Sequence, residues 1–265
     1  MSMTNQQFKL TQKLFEKQTG ILLGDHKKHM VENRLRSCLR ACECDTFERF
    51  FNALNSDAHS DMIDCLVDKL TTHETAFFRE KYQFDLLEQT IKHRAYASEI
   101  KAWSAACSTG EEAYSIALVL DKHCENGHWQ VRGTDISRPS IEAAQAALYR
   151  LADAESLPAE MRIKNALQGM GEFQGLFTFS DHLKRHCRFR VMNILTEPDG
   201  EMFDFIFLRN VLIYFTPPRQ QQIIANVEKV LKPGGLLFLG HSENVVREAT
   251  GLMLVANCVY RKVTL

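Results

Sequence analysis

What the chain has little of is net charge. Thirty-two basic residues stand against 33 acidic ones, a formal net charge of −1. The whole molecule therefore exerts no strong pull on nucleic acid or anionic lipid, and charge recognition must come from a local patch. No run of 18 or more apolar residues occurs, so no bilayer-spanning helix is expected. The start, MSMTNQQFKL, lacks the apolar core and cleavage site of a signal peptide, and cytoplasmic location is the expectation. The eight cysteines are scattered and form no disulfide framework. Cys38, Cys42 and Cys44 lie close together, but no matching Cys or His pair follows at finger-like spacing, so packing residues with free thiols are expected and no metal. Internal repeats and low-complexity segments are missing too.

What is present is ordinary for a soluble globular protein: 45% hydrophobic and 25% charged residues, in a length of 265 that suits one large domain or a medium one plus a small one. The first ~90 residues read as helices alone. Phe8, Leu14 and Phe15 fall near helical spacing. Residues 25–42 carry an apolar stripe of Val31, Leu35, Cys38, Leu39 and Cys42. Asp45 is placed to cap a third helix through Phe47, Phe50, Phe51 and Leu54, and a fourth runs through Met62, Ile63, Leu66, Val67 and Leu70.

Near residue 99 the pattern changes. Residues 99–106 read as a strand, 107–110 as a turn, 111–126 as a helix, 129–134 as a strand and 137–149 as a helix. Further on, 203–208 (FDFIFL) is a buried strand, 218–231 a helix stopped by a turn at 232–235, 236–240 a strand, and 252–263 supplies the last strands. Strands alternating with helices predict a doubly wound α/β fold, Rossmann-like, behind a helical N-terminal domain.

Ligands in such a sheet bind beyond the carboxyl ends of the strands at the switch point. The first strand runs out through Ala105-Ala106-Cys107-Ser108-Thr109-Gly110-Glu111-Glu112, small residues that admit a close ligand. This is not GxGxxG. Two carboxylates at the helix start oppose a pyrophosphate but suit a cationic or neutral ligand, and S-adenosylmethionine has a sulfonium, an amine and no phosphate. Asp135 ends the second strand, where it either accepts ribose hydroxyls or caps the next helix.

Three segments then carry a resemblance: Thr71-Thr72-His73-Glu74-Thr75-Ala76-Phe77-Phe78-Arg79-Glu80, Trp103 to Glu112, and Leu208-Arg209-Asn210-Val211-Leu212-Ile213-Tyr214-Phe215. With Leu231-Lys232-Pro233-Gly234-Gly235 and Gly240-His241-Ser242-Glu243-Asn244, in this order, they resemble the CheR family, the chemotaxis receptor glutamate methyltransferases, over nearly the whole chain. The resemblance implies a helical substrate-recognition domain at 1–80 and an S-adenosylmethionine-dependent methyltransferase domain at 81–265, with a small antiparallel β-subdomain at about 167–192. It implies cofactor contacts from His73, Thr75, Arg79, Glu112, Asp135, Asn193, Ile194, Arg209 and Asn210, and places Arg79 and Tyr214 beside the transferred methyl. Two positions depart from the family: His73 stands where Asn is usual, and Ala113 where Pro often follows the double Glu.

The same resemblance implies chemoreceptor cytoplasmic domains as partners and a monomer. The basic residues Lys27, Arg34, Arg36 and Arg40 of the 25–42 helix would face the acidic methylation region. Gly169, Gly171 and Gly175 precede two alternating runs, 176–179 and 188–192, expected to form the β-subdomain, where some family members dock a receptor C-terminal pentapeptide by strand addition. Two other readings share much of this: a methyltransferase of RNA or a small molecule, and a receptor-binding adaptor without activity. The lack of a basic stripe with interleaved aromatics weighs against RNA.

Overall fold

The computed structural model describes residues 2–54, 60–93, 99–124, 128–244 and 251–263. Four helices come first: α1 (Asn5–Thr19), α2 (Lys28–Ala41), α3 (Phe47–Leu54) and α4 (Ser60–Leu70). Thr4 and Gln7 close a capping box on α1, and Gly20 ends it at φ 78. The stripe of α2 is buried at Val31, Leu35, Cys38 and Leu39, and it shares one core with Phe8, Phe15, Phe47, Phe50, Leu66 and Leu70. The cap of α3 differs from expectation. Thr46 Oγ1 accepts the Arg49 amide at 3.2 Å, while Asp45 pairs instead with the Arg49 guanidinium at 2.8 Å.

After α5 (Lys81–His93) the chain alternates: β1 (Ile100–Ala105), α6 (Glu111–His123), β2 (Trp129–Asp135), α7 (Arg138–Ala146), β3 (Leu148–Arg150), α8 (Ala159–Asn165), β4 (Ala166–Gln168), β5 (Leu176–Phe179), α9 (Asp181–Arg185), β6 (Cys187–Val191), β7 (Phe203–Leu208), α10 (Pro217–Val230), β8 (Leu231–Leu239), β9 (Leu252–Ala256) and β10 (Val259–Lys262). The end expected for α6 at residue 126 lies outside the described residues. Seven strands form one sheet in the order β6-β2-β1-β7-β8-β10-β9. The first five are parallel; β10 and β9 are antiparallel. Every residue of β7 is buried, and from Phe205 onward its side chains alternate between the two cores: Phe205 and Phe207 in one, Ile206 and Leu208 in the other. Order reverses beside β1, which pairs with β2 and β7, so the crevice opens at the carboxyl ends of those strands.

Three segments differ from the sequence reading. Residues 147–149 leave the helix: Ala147 caps α7 in the left-handed region, and Tyr149 enters β3. The small sheet is β3-β5-β4, whereas 187–191 joins the main sheet as its parallel edge beside β2. The alternation of that run was right and its sheet was wrong, because period two says nothing about the partner. The turn expected at 232–235 is a bulge within β8, with Gly234 at φ 73 and a register shift against β7. A Cβ on Gly235 would meet the Asp204 and Lys232 carbonyls at 2.9 Å, so only glycine fits.

Candidate active site

A cavity of about 310 Å³ opens over the ends of β1, β2 and β7 and is closed on its other side by α1, α2 and the segment after α4. Its lining brings together Lys27, Arg34, His73, Thr75, Arg79, Glu112, Asp135, Asn193, Ile194, Arg209, Asn210 and Tyr214. Arg36, Arg40, Gly169, Gly171 and Gly175 lie elsewhere.

The turn after β1 is shaped from within. Ala106 and Ser108 sit at φ 65 and 50. Asp135 holds the turn: its Oδ2 accepts the Ser108 amide and its Oδ1 the Ser137 amide, each at 2.9 Å. Burial pushes the Asp135 carboxyl up, and these amides pull against that. The helix cap is Ser137, which accepts from the Ser140 amide. Each Asp135 oxygen keeps a second lone pair for a ligand, so latching the turn and facing the cavity are compatible. Gly110, at φ 99, serves packing and not ligand approach: a Cβ there would meet Ala144 and Tyr149 at 2.9 Å. Close approach to the cavity falls instead on Ala106, Cys107 and Ser108.

Arg209 follows β7 and is 6% exposed. It reaches Glu112 at 3.0 Å, Glu80 at 3.3 Å and the Arg79 carbonyl at 2.6 Å. Glu112 also accepts from Ser104 Oγ at 2.7 Å. Burial raises the Glu112 carboxyl, opposed by Arg209 and Ser104. Glu111, by contrast, turns away and accepts from Thr109 Oγ1 at 2.7 Å.

Other expected contacts are committed within the chain. His73 Nε2 donates to the Asp68 carbonyl at 2.9 Å, with Thr71 Oγ1 at 3.0 Å, and its Nδ1 lies 3.1 Å from Ser140 Oγ. Both ring nitrogens are thus occupied. Burial lowers the His73 pKa, but the Asp68 carboxylate and carbonyl outweigh it and the net shift is upward. Asn193 donates to the Gln18 carbonyl at 2.8 Å and accepts the Leu195 amide at 2.9 Å, tying α1 to the sheet. Arg34 Nη1 points at the carbonyls that end α4 and follow it, those of Lys69, Leu70 and Thr71, at 3.1–3.5 Å.

Arg79, Tyr214 and Lys27 differ. Arg79 donates to the Glu74 carbonyl at 2.9 Å and has no carboxylate partner among the described residues, so it makes no ion pair with Glu74 or Glu80. Tyr214 is 36% exposed on the turn Leu212–Tyr214 and is no core aromatic. Lys27 has no acidic partner among the described residues.

Outside the cavity, Arg36 pairs with Glu32 at 2.9 Å and Arg40 is exposed. Gly171 and Gly175 sit at φ 60 and 85 with nothing within 4 Å of an added Cβ, while Gly169 packs against Phe173. No cluster of three or more metal-ligating side chains occurs, and no helix is long and apolar enough to cross a membrane, among the described residues. Sequence reasoning missed Glu243, buried behind Asn210. Its block, GHSEN, was visible, but nothing local distinguishes a buried Glu from a surface one.

The chain is similar to proteins of one family. Residues 6–71 match the family model "CheR methyltransferase, all-alpha domain" and residues 73–259 match "CheR methyltransferase, SAM binding domain". The chain is 38% identical to the chemotaxis protein methyltransferase of Escherichia coli K12, over 92% of this chain and 86% of that one. It is 37% identical to the Salmonella typhimurium protein of the same name, over 94% and 88%. Identity to chemotaxis protein methyltransferase 2 of Pseudomonas aeruginosa is 35%, over 97% and 95%.

Proposed function

The chain belongs to the CheR methyltransferase family and is an S-adenosylmethionine-dependent methyltransferase, and from that premise we propose that it esterifies glutamate side chains on the cytoplasmic domains of chemoreceptors. One observation carries the reading most directly. Arg79 and Tyr214, whose side chains are not consumed by the fold, line the same cavity as Asp135 and Glu112. The donor set fits the cofactor: a buried carboxylate with spare acceptor positions for hydroxyls, an unpaired guanidinium for a carboxylate, and apolar walls from Ile136, Met192, Ile194 and Phe215.

S-adenosylmethionine, when bound, supplies a methyl group on a sulfonium, open to in-line displacement. Asp135 would accept from its ribose hydroxyls. Thr75, Glu112, Asn210 and the Asn193-Ile194 backbone complete its surroundings. Arg209 acts behind Glu112, as the counter-charge that lets a buried carboxylate stay there. A glutamate target has an unperturbed pKa of about 4.3 and arrives ionised, so no base is required. The task left for the chain is alignment. Tyr214 suits it as a single donor to the target carboxylate. An arginine clamped on the target would blunt its nucleophilicity, so Arg79 is assigned to holding and orienting the cofactor.

Substrate capture would use two surfaces. Lys27, just before α2, and Arg34 of α2 line the cavity, while Arg36 and Arg40 of α2 face the solvent. The open glycines Gly171 and Gly175, with Gly169, would take a receptor C-terminal pentapeptide as an added strand, raising local receptor concentration without tightening the first contact. Methyl-labelled cofactor and receptor cytoplasmic fragments test the reading. Label released by mild base is the expected result; base-stable label would move the activity to another acceptor. Gly171→Val should abolish pentapeptide binding yet spare methylation of tailless fragments. No binding of free pentapeptide to the wild type at millimolar concentration would remove the tether.

A further inference from the structure

Glu243 is 3% exposed and sits in a nest of main-chain amides. Its Oε2 accepts the Asn210 and Gly240 amides, both at 2.8 Å. Its Oε1 accepts the Leu212 amide at 2.7 Å and faces the Ile213 amide at 3.4 Å. One side chain thus replaces the ladder where β7 and β8 end, and it does so directly behind the cavity. Its acceptors fix two unusual stretches of backbone: Asn210, held at φ 56, and the turn Leu212–Tyr214. Gln220 grips the same turn from its carbonyl side, donating to Leu212 O at 2.9 Å and Phe215 O at 3.1 Å. The fit on the amide side is tight. A Cβ on Gly240 would meet Asn210 Nδ2 at 2.6 Å and Asn210 N at 2.8 Å.

We propose that Glu243 is a positioning residue for methyl transfer, which sets where the Tyr214 hydroxyl stands by holding the Asn210–Tyr214 backbone from behind; this rests on the role given to Tyr214 above. A carboxylate is the right group because only it offers acceptors on both oxygens. A buried side chain facing three or four N–H groups must accept everywhere, and a carboxamide would turn one NH₂ against a donor. Displacing a positioned group by about 1 Å can cost on the order of a hundredfold in rate, so a small shift of this turn is enough to matter.

A double-mutant cycle on turnover, at saturating cofactor and receptor fragment, tests this, with thermal unfolding of every variant recorded beside it. Glu243→Gln alone should lower turnover about tenfold or more. In a Tyr214→Phe background the same substitution should change turnover less than threefold, while its effect on melting is the same in both backgrounds. A merely structural glutamate would move melting and turnover alike and multiply with Tyr214→Phe; equal factors in the two backgrounds overturn the proposal. If Tyr214→Phe by itself leaves turnover unchanged, the role of Tyr214 fails and the proposal falls with it, an outcome distinct from multiplicative effects. Should Glu243→Gln not fold, Glu243→Asp, which keeps the charge and withdraws it by one methylene, enters the same cycle with the same expectation.

Discussion

The buried and exposed sides of the cavity use similar residue types in opposite ways. On the buried side, Asp135, Glu112, Arg209 and His73 are each tied to other parts of the chain, though Asp135 keeps acceptor positions to spare. On the exposed side, Arg79, Tyr214 and Lys27 are left with charge or hydroxyl to spare. A residue with internal partners serves shape and stability whatever else it does, and a residue without them is free to act on what arrives. Lining a cavity is therefore not enough to make a side chain a ligand contact.

That division predicts which property each substitution moves. The largest effect should come from Arg209→Ala, which strands two partly buried carboxylates, Glu80 and Glu112. Removing one partner of such a group costs about 3–5 kcal/mol, read from denaturant midpoints. A loss under about 1 kcal/mol would break the distinction at its strongest point. Asp135→Ala comes next and should register twice. Stability should fall by roughly 1–3 kcal/mol because the Ser108 and Ser137 amides lose their acceptor, and affinity for S-adenosylhomocysteine should fall about ten- to a hundredfold. Asp135→Asn separates the two effects, keeping an acceptor for one amide. An unchanged dissociation constant would show Asp135 to be a latch only.

Lys27→Ala, on the exposed side, should leave stability within about 0.5 kcal/mol. It should raise the KM for acidic receptor fragments by roughly 1.5- to 5-fold at low salt, fading as ionic strength screens the charge. A salt-independent change would point to packing against the cavity wall instead. The smallest effect belongs to His73→Gln and depends on pH. The folded-state pKa of His73 is raised, so its contribution is full below the unfolded value of about 6.5 and is lost as pH climbs through the raised folded value. The stability penalty should be larger at pH 5.5 than at pH 8.5. A penalty that grows with pH would mean the neutral ring is the form the Asp68 pocket prefers.

Much of this fold was legible because it rests on local periodicity. The alternation of 99–134 and the FDFIFL strand read correctly since each buried face repeats at short range. What failed depends on distant partners. Tyr149 continues a helical pattern, yet a strand pairs with it from residues 176–179. Residues 187–191 alternate as expected, but β2 captures them. Among the residues that line the cavity, the blocks around Arg79, Glu112, Arg209 and Tyr214 could be found as motifs. Their commitments could not: that Glu112 meets Arg209 across 97 positions, or that His73 spends its ring on Asp68, follows from the closed fold alone.

The end of α1 couples the two halves of the molecule. Arg219 of α10 bonds the Gly20 carbonyl and pairs with Glu16 at 2.9 Å, Asn193 holds the Gln18 carbonyl, and Leu195 occupies the space a Cβ on Gly20 would need. Because the cavity draws walls from both halves, a bound ligand stabilises the junction as well as the sheet, by an amount that grows with the logarithm of its concentration over Kd. Ligand binding and the unfolding of the helical bundle are thus thermodynamically linked: in calorimetry, S-adenosylhomocysteine should shift one shared endotherm and not split it, and protection from amide exchange should rise in α1 at positions the ligand never touches.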